Sequence, residues 1–441
     1  MPANVLVADL LPALLHHLGD NLADAGLAHG GWVLQRLGGP PLDEDSSVAA
    51  VGLQDGETIH LRPRSDQIPP VHFDDLADGI ATGMGARPGR WRPEMICWAA
   101  LGALAVVLAF GVVTLAMPGP ALARALCALA ITVICLAGAF GLTRAAADRG
   151  FGMVAAAAGV GYAAMAGMIA PDSTRGSTAL VFSGAETFTA SVAMLVCALL
   201  AAMLVGWAAP FFAAVVAGTL VAVVAAGLSA FVSLSAGEAA AVAAVVATVA
   251  TILVPLVAFR LARIYLAPLP TEPEHLQEDI DPEPSESLLS QAARADQFMT
   301  GLYAGLAVVT AISLVLVAMV GGWAAWTLVG LVALVRLLAL RPMTSGWHRL
   351  AHALPSVVGL LTVGLALAAE VSPVIRLIVP VVLAPVAGGV LFLIGRRLPE
   401  RRIMPYWGRI ADLVQVVSTV ALLPILLAVL GAYAAARALG G

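Results

Sequence analysis

Between residues 96 and 117 the chain reads ICWAALGALAVVLAFGVVTLAM, 22 residues without a charged side chain. At about 1.5 Å per residue a helix of that length reaches about 33 Å, enough to cross the hydrocarbon core of a bilayer. A backbone in lipid has to satisfy its own hydrogen bonds, so one such helix commits the chain either to further spanning helices or to re-entry into water. Ten further apolar stretches follow, at 121–142, 151–170, 189–208, 211–232, 237–259, 299–320, 322–340, 351–371, 374–395 and 410–436. The pattern predicts a mainly α polytopic membrane protein with eleven transmembrane helices, six within 96–259 and five within 299–441, organised around the first.

Ahead of the spans the periodicity changes. Residues 7–18 (VADLLPALLHHL) place Leu10, Leu14 and Leu18 on one helical face with Pro12 on the outer side. Residues 32–37 and 58–62 alternate as strands, the second after the turn Gln54-Asp55-Gly56-Glu57. Residues 1–65 therefore form a small α+β domain. Residues 66–95 connect it to the first span, through a short amphipathic helix carrying Phe73, Leu76 and Ile80 and then Arg87-Pro88-Gly89-Arg90-Trp91-Arg92-Pro93. Arginines and a tryptophan directly before a span suit the headgroup layer. Residues 260–298 interrupt the spans. Their core, PLPTEPEHLQEDIDPEPSES, has five prolines and seven acids and cannot build a packed core. Residues 287–298 regain helical spacing and are expected to lie along the membrane face.

Charge adds direction to this layout. Residues 1–95 and 260–298 together carry −12, leaving +7 for the rest of a chain whose net charge is −5. An acidic soluble part disfavours nucleic acid or anionic lipid as its partner, since both would be repelled. Basic residues stay on the cytoplasmic side. With the N-terminus inside, fifteen arginines flank inner ends, among them Arg144, Arg260, Arg341, Arg349 and Arg396, whereas Arg124, Arg175, Arg376 and Arg437 flank outer ends. This places the N-terminus in the cytoplasm and the C-terminus outside. The start, with Pro2, Asp9 and Pro12, does not read as a signal peptide.

The composition also removes several chemistries. The sequence has no lysine, hence no Walker A loop and no Schiff-base lysine. Cys97, Cys127, Cys135 and Cys197 lie in apolar spans without a Cys-x-x-Cys and read as buried small hydrophobes. No catalytic set, cofactor or metal site is expected. His348 and His352 are four apart, without a carboxylate or cysteine neighbour in the sequence. Among ionisable residues Arg336 alone sits well inside a span, while Glu238, Glu370, Arg376 and Asp412 sit near ends, where snorkelling relieves the cost of burial. Arg336 and Asp412 are the intramembrane polar candidates, and would be the sensitive positions if the protein were instead a secondary transporter of a small solute. Gly301-x-x-x-Gly305 is a candidate for close helix packing. Glu272, Glu274, Glu278, Asp279, Asp281, Glu283 and Glu286 make the acidic loop a candidate docking strap for a basic cytosolic partner, jointly with the acidic N-terminal domain.

The order helix, strand 32–37, Gly38-Gly39-Pro40-Pro41-Leu42, then Ser46 through Leu61 resembles the later part of a ubiquitin-like fold, with the first hairpin missing. Together with the connector Phe-Asp-Asp-Leu-Ala-Asp-Gly-Ile at 73–80, the Arg-Pro-Gly-Arg-Trp-Arg-Pro at 87–93 and eleven apolar helices broken by an acidic loop after the sixth, the chain resembles the EccD membrane subunit of the type VII (ESX) secretion apparatus. That resemblance implies an inner-membrane scaffold of an actinobacterial secretion machine that dimerises around a lipid-filled space. It also implies partners of the EccB, EccC and EccE types, with the energy supplied by the EccC ATPase.

Overall fold

The structure, a computed structural model, describes residues 5–19, 21–27, 30–36, 41–53, 57–64, 93–172, 180, 182–206, 208–264, 285–397 and 405–439. The chain divides into two compact units, Met1–Pro93 and Glu94–Gly441. The connector motifs at 73–80 and 87–92, and residues 265–284 of the acidic loop, lie outside the described residues.

In the first unit, α1 (Val7–Leu18) and α2 (Leu22–Gly26) precede an antiparallel pair, β1 (Trp32–Arg36) and β2 (Ile59–Pro63), in which Leu34 faces Leu61. Val7, Leu34 and Leu42 form its buried core, with Leu11, Leu14, Val51, Leu53, Ile59 and Leu61 against them. The core-facing side of α1 thus runs through Val7, Leu11, Leu14 and Leu15 rather than through Leu18, which is exposed at the helix end. Pro12 is exposed as expected. Arg36 ties the second half of the unit together: it bonds Glu57 at 2.6 Å and the carbonyls of Val51 and Gly52. The Glu57 hydrogen bond holds the Arg36 guanidinium above its ordinary pKa. Trp32 donates its indole N–H to the Leu22 carbonyl at 2.8 Å, docking α2 on the strand.

The second unit is helical: α3 (Pro93–Ala116), α4 (Ala121–Arg144), α5 (Arg149–Ile169), α6 (Gly184–Val205), α7 (Ala209–Phe231), α8 (Ala236–Ala250), α9 (Val254–Leu261), α10 (Ser285–Val320), α11 (Gly322–Leu338), α12 (Gly346–Glu370), α13 (Pro373–Arg376), α14 (Ala384–Arg397), α15 (Pro405–Val429) and α16 (Ala432–Leu439). Every expected apolar stretch is helical, but among the described residues nine helices are long and apolar enough to cross a membrane. The other two stretches are shorter. Helix α11 has 17 residues: it begins at Gly322, as expected, after Gly321 at positive φ, and ends at Leu338, two residues early. The 374–395 stretch is broken: Pro373 opens a four-residue helix and Pro380 lies in a π-helical segment, Val379–Leu383, each proline removing a backbone donor.

Helix α10 is the hub, packing against α7, α8, α9 and α12. Its first turns continue directly into the span, so 287–298 does not form a separate surface helix: Ala295 and Phe298 are buried in the same cluster as Tyr303 and Leu306. Helix α3, by contrast, has no buried residue between 95 and 116. It is pinned by Tyr162, whose hydroxyl donates to the Leu108 carbonyl at 2.8 Å, and by Arg124, which donates to the Leu115 carbonyl at 2.9 Å across the turn to α4. The first span is therefore peripheral in the chain and does not organise it. Cys97 and Cys127 are exposed, whereas Cys135 and Cys197 are buried.

Candidate functional site

Prolines on two elements prepare a polar pocket in the helical unit. Pro355, inside α12, has no N–H, so the carbonyl four residues earlier, on Ala351, loses its helical donor. Arg336 of α11 supplies one: its Nη1 donates to the Ala351 carbonyl at 3.4 Å. Its Nη2 donates to Thr310 Oγ1 at 2.7 Å and reaches the Leu306 carbonyl at 3.5 Å, both on α10. Pro255, at the start of α9, follows a 3-10 turn at Thr251–Leu253 that interrupts the span Ala236–Leu261. Between these breaks lies a cavity of about 210 Å³ walled by Thr248, Thr251, Tyr303, Arg336, His352 and Gln415, among others.

Arg336 is only 1% exposed, and its Nε has no hydrogen-bond partner among the described residues. Expected well inside the span 322–340, it lies in the last turn of α11, which ends at Leu338. There the negative end of the helix dipole and its unpaired carbonyls favour a cation. His352 is equally buried, with neither ring nitrogen bonded. Its ring lies 5.1 Å from that of Tyr303, and the His348 ring lies 5.3 Å from Tyr303 on the same side of α12. His348 Nε2 is 3.0 Å from Thr300 Oγ1 and 3.6 Å from the carboxylate of Asp296. A carboxylate does therefore accompany this histidine; it comes from α10, more than fifty positions away in sequence, where spacing could not reveal it. No group of three metal-ligating side chains occurs among the described residues.

Asp412 does not join Arg336. Its carboxylate binds Arg341 Nη2 at 2.7 Å, its side chain is 72% exposed, and it is not on the cavity wall. Glu238 closes a capping box with Ser235 at the start of α8, and Arg376 bonds the carbonyls of Ala369 and Val371 near the end of α12, so both serve helix ends. Gly301 and Gly305 face the backbone of α7 at Pro210 and Ala214, where a Cβ on either glycine would collide with a carbonyl. Gly218 of α7 abuts the Gly305 carbonyl in return, so this motif joins two helices of one chain. Six of the seven acidic-loop candidates, Glu272 through Glu283, lie outside the described residues, and Glu286 lies at the start of α10. Sequence inspection missed two buried acids, Asp172 and Glu186. Glu186 falls inside α6 because that helix begins at Gly184, five residues before the apolar run, and the Ser183-x-x-Glu186 spacing was the available signal.

Residues 97–439 match the family described as the EccD-like transmembrane domain. Residues 1–61 match YukD of the WXG100 protein secretion system, in line with the ubiquitin-like expectation. Over 90 residues, 20% of this chain, the sequence is 36% identical to the ESX-4 secretion system protein eccD4 of Mycobacterium tuberculosis, in strains CDC 1551 / Oshkosh and ATCC 25618 / H37Rv alike. That alignment spans 19% of the length of those curated relatives. Among solved structures, a chain of the MycP5-free ESX-5 inner membrane complex in State II aligns with a TM-score of 0.61 at 21% identity, covering 89% of this chain and 95% of that one. Protomer 1 of the ESX-3 core complex gives 0.62 at 18% identity, covering 98% and 96%. At these identities the structural likeness establishes the fold.

Proposed function

The chain belongs to the EccD family, and from that premise we propose that it is an integral inner-membrane scaffold of a type VII secretion machine, contributing to protein export across a mycobacterial-type cytoplasmic membrane. The observation that carries this is the family match over 97–439, which takes in nearly the whole helical unit. The likeness in fold to chains of two ESX inner-membrane complexes supports membership of a larger assembly. In that assembly the chain pairs with a second copy and with subunits of the EccB, EccC and EccE types. The work of export comes from the EccC ATPase and this chain acts as a scaffold rather than an enzyme, which suits a sequence without a P-loop lysine. Its N-terminus faces the cytoplasm and its C-terminus the outside, as the arginine distribution favours.

The acidic loop and the acidic N-terminal unit both belong to the cytoplasmic side in this topology, where their charge attracts a basic face of the motor subunit. The exposed apolar side chains of α3, including Trp98, Val106 and Phe110, are free to meet lipid or the second copy. Purification of the full chain from its native membrane in mild detergent tests the proposal. Proteins of the three named types should co-purify in constant proportion. A chain that comes out alone, and by itself carries a small solute into liposomes, would overturn the scaffold assignment in favour of a transporter.

A further inference from the structure

We propose that the cavity beside Arg336 binds a phosphate-type oxyanion. Arg336 carries a full charge, is buried, and reaches only neutral acceptors: one hydroxyl and two carbonyls, the carbonyls at 3.4 and 3.5 Å. A buried ion without a counter-ion is costly, so buried charges in proteins are normally paired or neutralised. Among the described residues lining this cavity there is no Asp or Glu, and the Asp412 carboxylate, one turn before Gln415 on α15, is engaged by Arg341. Positive charge and empty space therefore coincide.

The wall is furnished for an acceptor. Arg336 Nε is an unused donor, and His352, whose two ring nitrogens are both unbonded, brings one N–H when neutral and two when protonated. Tyr303 and Gln415 line the same space and can each donate. The hydroxyls of Thr248, Thr251 and Thr419 are already donated to the carbonyls of Ala244, Thr248 and Gln415, so they do not compete for the role. A ligand with several acceptor oxygens and negative charge meets these groups together; a cation or an apolar group does not. Phosphate geometry also suits an arginine fork. Because Ala339, Pro342 and Met343, just beyond the end of α11, form part of the wall, the cavity sits at a helix-end level rather than at mid-span. Either a lipid phosphate or a free anion can supply the ligand chemistry there.

The test uses the purified full chain in neutral detergent and follows its Tm against three probes: inorganic phosphate, mixed micelles containing phosphatidic acid, and mixed micelles containing phosphatidylcholine alone. A saturable rise with inorganic phosphate supports the site with a free anion as its ligand. A saturable rise with phosphatidic acid, but with neither phosphate nor phosphatidylcholine, supports the site with a lipid headgroup as its ligand. Either response should vanish in Arg336→Gln. Should that variant fail to fold, Gln415→Glu decides: it places a carboxylate in the cavity, and should weaken the apparent affinity for the responding probe at least about ten-fold, a change of about 1.4 kcal/mol. No response to phosphate or phosphatidic acid, or one unaltered in Gln415→Glu, overturns the proposal.

Discussion

Gly305 and Gly330 are both helical glycines in apolar sequence, and only the Gly301-x-x-x-Gly305 spacing sets the first apart. In space they differ completely. A Cβ at Gly305 would meet the Ala214 carbonyl carbon and oxygen, whereas one at Gly330 meets nothing within 4 Å. Gly305→Ala should therefore force α10 and α7 apart and destabilise the chain by about 1–3 kcal/mol, as overpacking does. Gly330→Ala should be neutral, or stabilising by up to about 1 kcal/mol through helix propensity. Thermal inactivation of the two variants in the same detergent measures both, and equal behaviour would contradict the packing. Arg336 shows what residue-level inspection can and cannot reach. That an arginine inside an apolar run is important was legible, because burial of charge in lipid is expensive. That Pro355 frees a carbonyl for it, and that Thr310 and His352 stand beside it, depends on residues 15 to 26 positions away. Asp412, read with it as an intramembrane polar group, proves to be a largely exposed partner of Arg341.

At the scale of elements, hydropathy located the helices well and ranked them badly. The span Met95–Ala116 has a mean hydropathy of 2.5 with none of its apolar window buried, whereas Arg149–Ile169 has 1.6 with half of its window buried. Lipid is as apolar as a protein interior, so a strongly hydrophobic helix is under no pressure to be central, and close packing selects small residues instead. That is why α5, rich in Ala and Gly, is enclosed while α3 stays outside. The same reasoning explains α10, whose charged first turns hid a helix that continues unbroken into the bundle. In the N-terminal unit, α1, α2 and two five-residue strands enclose six buried apolar side chains among the described residues, Val7, Leu15, Val33, Leu34, Leu42 and Val48. A two-stranded sheet with so small a core is marginal on its own. Residues 1–65 expressed alone should lose their ellipticity gradually on heating. A sharp two-state melt of that fragment would show that this core suffices.

For the whole molecule, the arginine asymmetry predicts that a reporter active only outside the cytoplasm is silent when fused at Glu283 and active at the C-terminus; the reverse pattern refutes the topology. The docking role of the acidic loop is tested by replacing Glu272, Glu274, Glu278, Asp279, Asp281, Glu283 and Glu286 with Gln or Asn, which removes charge but keeps length and prolines. Recovery of the motor subunit should fall, and the difference from wild type should shrink as salt rises, since exposed charges are screened over about 8 Å at physiological ionic strength. Unchanged recovery across the salt series would leave the loop as a spacer. The sequence by itself determined where the apolar helices lie: nine of the eleven apolar runs form helices long enough to cross lipid among the described residues, while an acidic proline-rich run has the composition for water. Through the order of those segments it also determined the family likeness. Tertiary structure alone decided which helix is central, which glycines are obligatory, and which polar groups share a cavity. Those depend on the approach of surfaces far apart in the chain, and in lipid no hydrophobic gradient marks such surfaces in advance.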